Sequence, residues 1–127
     1  FSISHANSQP VVAGDWLWIT GSGRVYALDT GTGCVHWRAD GVASRPTPVL
    51  ARTTASPSGW AVIVGQRDRV VKAFDAASGK LIWASAALEA HRSAGITGAP
   101  IVAGDQVFVP ITSLEEGASS APNYPCC

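Results

Sequence analysis

One stretch occurs twice in this chain, as Arg24-Val-Tyr-Ala-Leu-Asp-Thr-Gly-Thr-Gly-Cys-Val-His-Trp37 and as Val70-Val-Lys-Ala-Phe-Asp-Ala-Ala-Ser-Gly-Lys-Leu-Ile-Trp83, and the two copies align without a gap. Asp29 and Asp75 lie 46 residues apart, and so do Trp37 and Trp83. A period of roughly 40–50 residues is typical of the blades of a β-propeller. The repeat therefore predicts an all-β fold in which two blades carry the same turn and the same tryptophan.

Each copy has the residues of a β-hairpin. Strand-forming β-branched and aromatic residues come first, and the turn that follows is Asp-Thr-Gly-Thr-Gly in one copy and Asp-Ala-Ala-Ser-Gly in the other. The Asp carboxylate can accept backbone N–H groups two or three residues ahead, and Gly33 or Gly79 can take a positive φ. Trp37 and Trp83 then fall on the next strand, where each can bury its ring between neighbouring blades. A generic hairpin would explain one copy, but not two copies in register.

The segments before each hairpin supply two further strands per blade. Pro10, Pro48 and Pro100 each precede a short apolar run, and a second apolar run follows after a turn. We therefore predict one domain, residues 1–127, with about two and a half to three four-stranded antiparallel blades (strands A to D): blade 1 at about 8–38, blade 2 at about 46–85 and partial blade 3 at about 98–127. A closed propeller usually has about 4–8 blades, so the chain is expected to be a fragment of a longer protein.

The composition argues against a nucleic-acid partner and against a membrane-spanning helix. Of the 127 residues, 46% are hydrophobic and 14% are charged, and the formal net charge is zero. A neutral chain lacks the basic surface that nucleic-acid binding needs, and no apolar run reaches the roughly 18 residues of a membrane-spanning helix. We expect neither a nucleic-acid partner nor a membrane span. Cys34 lies in a predicted strand, far from the adjacent Cys126 and Cys127, and no C-x-x-C motif predicts a zinc or haem c site.

The strand order places the connections on two opposite rims. Successive strands of an up-and-down blade alternate in direction, so A–B and C–D turns share one rim. The B–C turns and the D–A links between blades share the other. The long irregular segments fall on this second rim, at 38–47, 84–99 and 112–127. Because loops of such length are usually functional, we predict the functional face there.

Several motifs resemble a known family. The segments Ala27-Leu-Asp29…Gly33…Trp37 and Ala73-Phe-Asp75…Gly79…Trp83 look like the tryptophan-docking repeats of pyrroloquinoline-quinone (PQQ) dependent dehydrogenases. Similar repeats occur in non-catalytic scaffold propellers such as outer-membrane assembly lipoproteins. The more specific stretches, Ile96-Thr-Gly-Ala-Pro100, Val109-Pro-Ile-Thr-Ser-Leu-Glu-Glu-Gly117 and Asn123-Tyr-Pro-Cys-Cys127, resemble the polyvinyl-alcohol dehydrogenase branch of the quinoproteins.

The resemblance implies an intact protein that uses PQQ to oxidise secondary or polymeric alcohols to ketones, whereas the fragment alone is expected to be inactive. Members of the family use Ca²⁺ beside PQQ and an Asp base, pass electrons to a cytochrome c-type acceptor, and are generally periplasmic. We identify neither the base nor the calcium ligands in this sequence, so the catalytic residues are unknown and no metal ligand is assigned. The alternative is a non-catalytic propeller that acts as a protein-assembly scaffold.

Cys126 and Cys127 are predicted cofactor contacts. In quinoprotein alcohol dehydrogenases an adjacent Cys pair forms a disulfide against the plane of PQQ, and the resemblance implies the same here. Adjacent Cα atoms are about 3.8 Å apart, below the usual disulfide range of about 4.4–6.8 Å, and the ring closes no long loop. Such a disulfide would add little stability and would suit a rigid platform for a planar ligand. Two free thiols are the alternative.

Arg45 and Thr97 are the other predicted cofactor contacts. Each lies three residues before the Pro that opens an inner strand, on the predicted functional rim. Either could meet a carboxylate or carbonyl of PQQ, since the Arg fork matches a carboxylate. The alternative is a capped loop end. Four further polar residues of this rim are interpreted as solvated or structural: His91, Arg92, Glu115 and Glu116. At most one of the two acids is expected to be structural.

Overall fold

The strands form in the order that the repeat predicts. The computed structural model describes residues 3, 6 and 8–124. Blade 1 holds β1 (Val11–Ala13), β2 (Trp16–Gly21), β3 (Arg24–Asp29) and β4 (Val35–Asp40). Blade 2 holds β5 (Val49–Arg52), β6 (Trp60–Gly65), β7 (Val71–Asp75) and β8 (Leu81–Ala84). After them come β9 (Gly95–Ile96), β10 (Ile101–Ala103), β11 (Gln106–Phe108) and β12 (Ile111–Thr112). The predicted all-β fold of four-stranded antiparallel blades is confirmed.

The two four-stranded sheets repeat one another in register. Each is ordered A–B–C–D, with every neighbouring pair antiparallel. Ala27 pairs with Trp37 in blade 1, and Ala73 pairs with Trp83 in blade 2. The aligned residues of the sequence repeat therefore occupy the same positions in both sheets.

A bulge lies beside each of these tryptophans, which the sequence alone did not predict. The register shifts after Ala27 and after Ala73, so that one extra residue, His36 or Ile82, stands on the D strand. A bulge increases the local twist of a strand pair. The His36 ring stacks on the Trp16 ring, with centroids 4.0 Å apart. This contact supports a structural role for His36.

Trp37 joins the two blades. Its side chain is only 9% exposed, and its indole Nε1 donates to the carbonyl oxygen of Ala76 in blade 2 at 2.9 Å. The ring lies against Gly79, where a Cβ atom would come within 2.5 Å of the ring carbons Cδ2 and Cε3. A glycine is therefore required both by the positive φ of this turn, 70°, and by the neighbouring ring. The core around Trp37 contains residues of both blades: Trp18, Val25, Ala27, Val42, Val62, Val64, Phe74 and Ala76.

The C–D turn of blade 1 is shaped by Asp29, as predicted. Its Oδ1 accepts the backbone N–H groups of Gly31, at 3.1 Å, and of Thr32, at 2.7 Å. The Thr32 hydroxyl, which donates to the same oxygen, and these two backbone bonds stabilise the charged carboxylate and lower the pKa of Asp29. Cys34 lies one residue before β4 rather than inside the predicted strand, and its thiol is free and exposed.

The equivalent residue of blade 2, Asp75, is buried, and its carboxylate joins the C–D turn to the A–B turn. Its Oδ1 accepts the backbone N–H of Ser78 at 2.8 Å, and its Oδ2 accepts that of Ser58, in the A–B turn, at 2.9 Å. The hydroxyl of Ser56 also donates to Oδ2. Burial by itself would raise the pKa of Asp75, but the hydrogen bonds from the three serines outweigh it and hold the pKa well below its ordinary value.

The beginning of a third blade packs on blade 2. Ile101 pairs with Phe108 in the β10–β11 hairpin. On either side of that hairpin, Ile96 of β9 pairs with Ile111 of β12. The side chain of Ile96 is fully buried against Gly65, where a Cβ atom would lie 2.5 Å from its Cγ2. This close approach fixes the link between blades 2 and 3 on the B strand of blade 2.

The predicted insertion consists of turns over residues 113–124. The backbone N–H groups of Ala118 and Ser119 donate to the carbonyl oxygen of Glu115 at 2.9 and 2.8 Å. The segment is therefore ordered by its own hydrogen bonds rather than by a sheet. Across the described residues there is no helix with the length and apolarity needed to cross a membrane.

Candidate cofactor-binding rim

The B–C turns and the D–A links meet on one rim, as the alternation of strands predicts. The N–H of Val42, in the first link, donates to Gly23 O at 2.8 Å in the B–C turn of blade 1. The N–H of Leu88, in the second link, donates to Arg69 O at 3.0 Å in the B–C turn of blade 2. We call this surface the insertion rim: the B–C turns at 21–24 and 65–71, the links at 41–48 and 85–100, and the insertion at 113–124.

The Ser-Leu-Glu-Glu stretch attaches the insertion to this rim. Leu114 packs on Gly95, where a Cβ atom would come within 2.9 Å of its Cδ1. The hydroxyl of Thr112 donates to the carbonyl oxygen of Gly95 at 3.3 Å. Gly95 therefore leaves the space that Leu114 fills, and the start of the insertion lies flat on the link between blades 2 and 3.

Glu115 is the acid that anchors the insertion. Its Oε1 lies 3.2 Å from Nε2 of His91 in the second link and also accepts the hydroxyl of Tyr124. The guanidinium of Arg69 donates to the carbonyl oxygen of His91 at 3.0 Å, which fixes the backbone of that link. Glu115 is thus structural, and Glu116 makes no side-chain contact of this kind among the described residues. The His91 side chain is 52% exposed, as expected for a solvated loop residue, and the contact gives it a structural role in addition.

We expect Glu115→Ala in the full-length protein to increase the rate at which a protease cleaves the insertion by about five- to tenfold. Loss of the His91 and Tyr124 contacts removes about 1 kcal/mol or more from the free energy of local opening, and cleavage of the opened form follows that free energy. Limited proteolysis with mass-spectrometric mapping of the cut sites measures the rate.

Glu116→Ala is the matched control for this experiment. The two acids are neighbours and carry the same charge, but only the Glu115 carboxylate contacts His91 and Tyr124. Equal cleavage rates for the two variants would show that Glu115 does not anchor the segment.

Arg45 and Thr97 lie on the insertion rim, at equivalent positions of the two links. Arg45 is exposed, and its guanidinium makes no hydrogen bond or ion pair with any described residue. Thr97 is also exposed, and its hydroxyl lies 3.0 Å from that of Thr112. Their contact with PQQ stays a prediction. Cys126 and Cys127 lie outside the described residues.

The structure adds Gln66, a residue that the sequence did not single out. Gln66 is 1% exposed and its Oε1 accepts the N–H of Ala43, two residues before Arg45, at 3.2 Å. Its Nε2 is buried and has no hydrogen-bond partner in the described part of the chain. A buried donor without a partner is costly, so an acceptor at this point would stabilise the rim.

These groups fit the chemistry of PQQ, which carries carboxylates and carbonyls. The unpaired guanidinium of Arg45 and the hydroxyl of Thr97, both exposed, can donate to such oxygens, whereas the amide of Gln66 is buried. Among the residues that the structure describes, no three His, Cys, Asp or Glu side chains come together in a way that could hold a metal ion. Calcium is therefore given no ligand here.

Comparisons with known proteins agree with a fold of repeated propeller blades. A family model described as outer membrane protein assembly factor BamB matches residues 2–113. A polyvinylalcohol dehydrogenase of Sphingopyxis sp. (strain 113P3) is 35% identical over 125 residues, and one of Pseudomonas sp is 33% identical over 124 residues. Each alignment covers 95% of this chain and 19% of the relative, so the chain spans about a fifth of the length of these curated relatives.

Among solved structures, a quinohemoprotein alcohol dehydrogenase from Comamonas testosteroni matches with a TM-score of 0.64 and 29% identity, over 83% of this chain and 17% of that one. The propeller blades, the repeat and the sequence relatives thus point to the same group of proteins. The chain belongs to the PQQ-type β-propeller family, whose model matches residues 2–113.

Proposed function

We propose that the intact protein is a PQQ-dependent alcohol dehydrogenase that oxidises secondary alcohols, including polymeric ones, to ketones. Support comes from the two relatives named polyvinylalcohol dehydrogenase and from the solved quinohemoprotein alcohol dehydrogenase. A cytochrome c-type protein then accepts the electrons, and the reaction takes place in the periplasm, as the family resemblance implies.

The observation that carries this proposal is that the alignments with the two dehydrogenases include the start of the insertion. The family model of the assembly factor ends at residue 113. The alignments with the two dehydrogenases cover 95% of the chain, which is more than residues 1–113 can supply. They therefore extend into the segment that contains Leu114 and Glu115, the residues that attach the insertion to the rim.

In this proposal the residues of this chain bind and position the cofactor, and they do not themselves react. PQQ, when bound, supplies the two-electron oxidising chemistry. Arg45 is suited to pair with a carboxylate of the cofactor, because its exposed guanidinium has no partner among the described residues. Thr97 can donate a further hydrogen bond. Glu115 holds the insertion that leads to Cys126 and Cys127, the predicted platform for the cofactor ring.

A non-catalytic scaffold is the second candidate function. The family model that matches residues 2–113 has the description of an assembly factor, and this favours it. A scaffold requires only the blades and their packing, which the Trp37 contact already explains. It gives no reason for an ordered insertion over 113–124 on one rim. Binding of PQQ distinguishes the two candidates.

The test uses the full-length protein, freed of cofactor and then titrated with PQQ in the presence of Ca²⁺. We expect saturable PQQ binding, and reduction of a dye acceptor when pentane-2,4-diol or polyvinyl alcohol is added. Arg45→Ala is expected to weaken PQQ binding by about tenfold or more, since a charge-assisted hydrogen bond is lost. Arg92→Ala, which removes an exposed arginine of the same rim, is the control and should bind as the parent protein does.

The double variant Cys126→Ala plus Cys127→Ala tests the platform separately. We expect weaker PQQ binding in this variant, and unchanged binding would refute the platform. A parent protein that binds no PQQ under these conditions would refute the dehydrogenase proposal and leave the scaffold.

A further inference from the structure

Gln66 lies between the two links that carry Arg45 and Thr97. It directly follows β6, at the start of the B–C turn of blade 2, and it is buried. Its side-chain Oε1 accepts the N–H of Ala43 in the first link at 3.2 Å, and its backbone carbonyl oxygen accepts the N–H of Ile96 in the second link at 3.4 Å. Ala43 is two residues before Arg45, and Ile96 is the residue before Thr97. One buried residue therefore holds both links against the same turn.

Ala43 is the point at which the first link is bonded to blade 2. Its carbonyl oxygen accepts the backbone N–H of Arg67 at 3.1 Å, so both of its backbone polar groups bond the same turn. Among the described residues, Ser44 makes its hydrogen bonds only within the link, to the carbonyl oxygens of Val42 and Pro46. The two bonds at Ala43 therefore fix where the chain leaves the turn on its way to Arg45.

The amide of Gln66 is not needed to fill the space that it occupies. Its Nε2 is buried and has no hydrogen-bond partner in the described part of the chain, which costs free energy. Methionine is an unbranched side chain that fills irregular gaps and carries no such donor, so packing alone would favour it. What the glutamine adds at this point is an acceptor for the N–H of Ala43.

We infer that Gln66 is a positioning residue, whose side chain acts through Ala43 to place the Arg45 guanidinium for a carboxylate of the bound cofactor. The ligand in this inference rests on the proposed function, whereas the bond to Ala43 does not. Fixing the backbone before Arg45 lowers the ordering cost that this long side chain meets when it binds. The bond to Ile96 comes from the backbone of Gln66, so a substitution of the side chain should affect Arg45 and leave Thr97 in place.

The first measurement is hydrogen–deuterium exchange in the full-length, PQQ-free protein. Gln66→Met removes the acceptor, so the Ala43 N–H should exchange about fivefold faster or more, because exchange follows local opening. The Val42 N–H bonds the carbonyl oxygen of Gly23 at 2.8 Å and should exchange as in the parent protein. Arg67→Ala is the control variant, since it keeps the backbone bond to Ala43 and should leave exchange there unchanged. Unchanged exchange at Ala43 in Gln66→Met would overturn the inference.

The melting temperature separates a local effect from a loss of the fold. Gln66→Met loses one hydrogen bond but also removes the unpaired buried donor, and Ala43 is exposed, so its N–H can bond water instead. We expect Tm to change by less than about 2 °C. A much larger fall would show that Gln66 holds the blades together rather than the link, and would overturn the inference.

The second measurement is a set of double-mutant cycles on the affinity for PQQ. Gln66→Met should raise Kd about three- to fivefold in the parent protein, but less than twofold in Arg45→Ala, where the residue that it positions is gone. In Thr97→Ala the two effects should multiply, because the side chain of Gln66 does not hold the second link. An equal factor in all three backgrounds would show a general loosening of the rim and would overturn the inference.

The two measurements also separate this inference from the proposed function. A parent protein that binds no PQQ would refute the proposed function, and with it the role of Gln66 toward the cofactor. A parent protein that binds PQQ, with unchanged exchange at Ala43 in Gln66→Met, would refute the role of Gln66 alone.

Discussion

Replacing Trp37 with alanine in the full-length protein is expected to lower the free energy of unfolding by about 3–5 kcal/mol. The ring is nearly buried, packs in a core formed by two blades, and donates to Ala76 across the interface between them. Trp37→Phe keeps an aromatic ring but loses volume and the indole N–H, so it should cost about 1–3 kcal/mol. Urea denaturation followed by circular dichroism measures both values.

Substitution of Gly79, in blade 2, tests the contact between this glycine and the Trp37 ring. An alanine there would bring its Cβ within 2.5 Å of the Trp37 ring, in addition to adopting a φ of 70°. Gly41 has a φ of 69° with no atom within 4 Å of a Cβ, so Gly41→Ala is the matched control and should cost about 1–2 kcal/mol for the left-handed conformation alone. Gly79→Ala should cost about 1–3 kcal/mol more than the control. Equal losses would show that Trp37 does not press on this glycine.

Asp75→Asn is expected to lower the free energy of unfolding by about 2–3 kcal/mol near neutral pH, because hydrogen bonds to a charged acceptor are replaced by weaker ones. Asp75 is 2% exposed and accepts from Ser56, Ser58 and Ser78. Ser56 is itself buried, so its hydroxyl has no access to water as a substitute partner. Asp29→Asn is the matched control at the same position of blade 1. The Asp29 side chain is partly exposed, and we expect its replacement to cost less.

The difference between the parent protein and Asp75→Asn should also depend on pH. The pKa of Asp75 is lower in the folded than in the unfolded protein, so its contribution is fully present above the unfolded value, 3.8, and is lost as the pH falls toward the folded value. The asparagine variant has no such titration. The two unfolding curves should therefore differ less at about pH 3 than at about pH 7. An equal difference at both pH values would contradict the lowered pKa.

Much of the fold could be predicted because its signals are local. The Asp and Gly of each turn act within five residues, and the alternation of strand directions by itself places the D–A links and the insertion on one rim. The bulge at His36 could not be predicted, since alternation of side chains along β4 gives no sign of an extra residue. The choice between Glu115 and Glu116 as the structural acid also needed the structure, because the partner His91 belongs to another loop.

The candidate cofactor site was predicted less completely than the fold. Arg45 and Thr97 were singled out because each stands three residues before a Pro of the repeat, which placed them on the insertion rim. Gln66 was missed, since an isolated glutamine near a turn has no motif, and only the packed links show that its amide is buried without a partner. Contact of Arg45 and Thr97 with PQQ stays a prediction, which the PQQ titration tests.

The sequence by itself determined the blade: strands of alternating direction, a turn built around Asp and Gly, and a tryptophan 46 residues from its counterpart. These features depend on hydrogen bonds and backbone angles of neighbouring residues, so they can be read in order along the chain. Only the tertiary structure decided that Trp37 meets Gly79 and that Glu115 meets His91. Those contacts join residues far apart in the chain, and they arise from how side chains of particular sizes fill the space between packed blades.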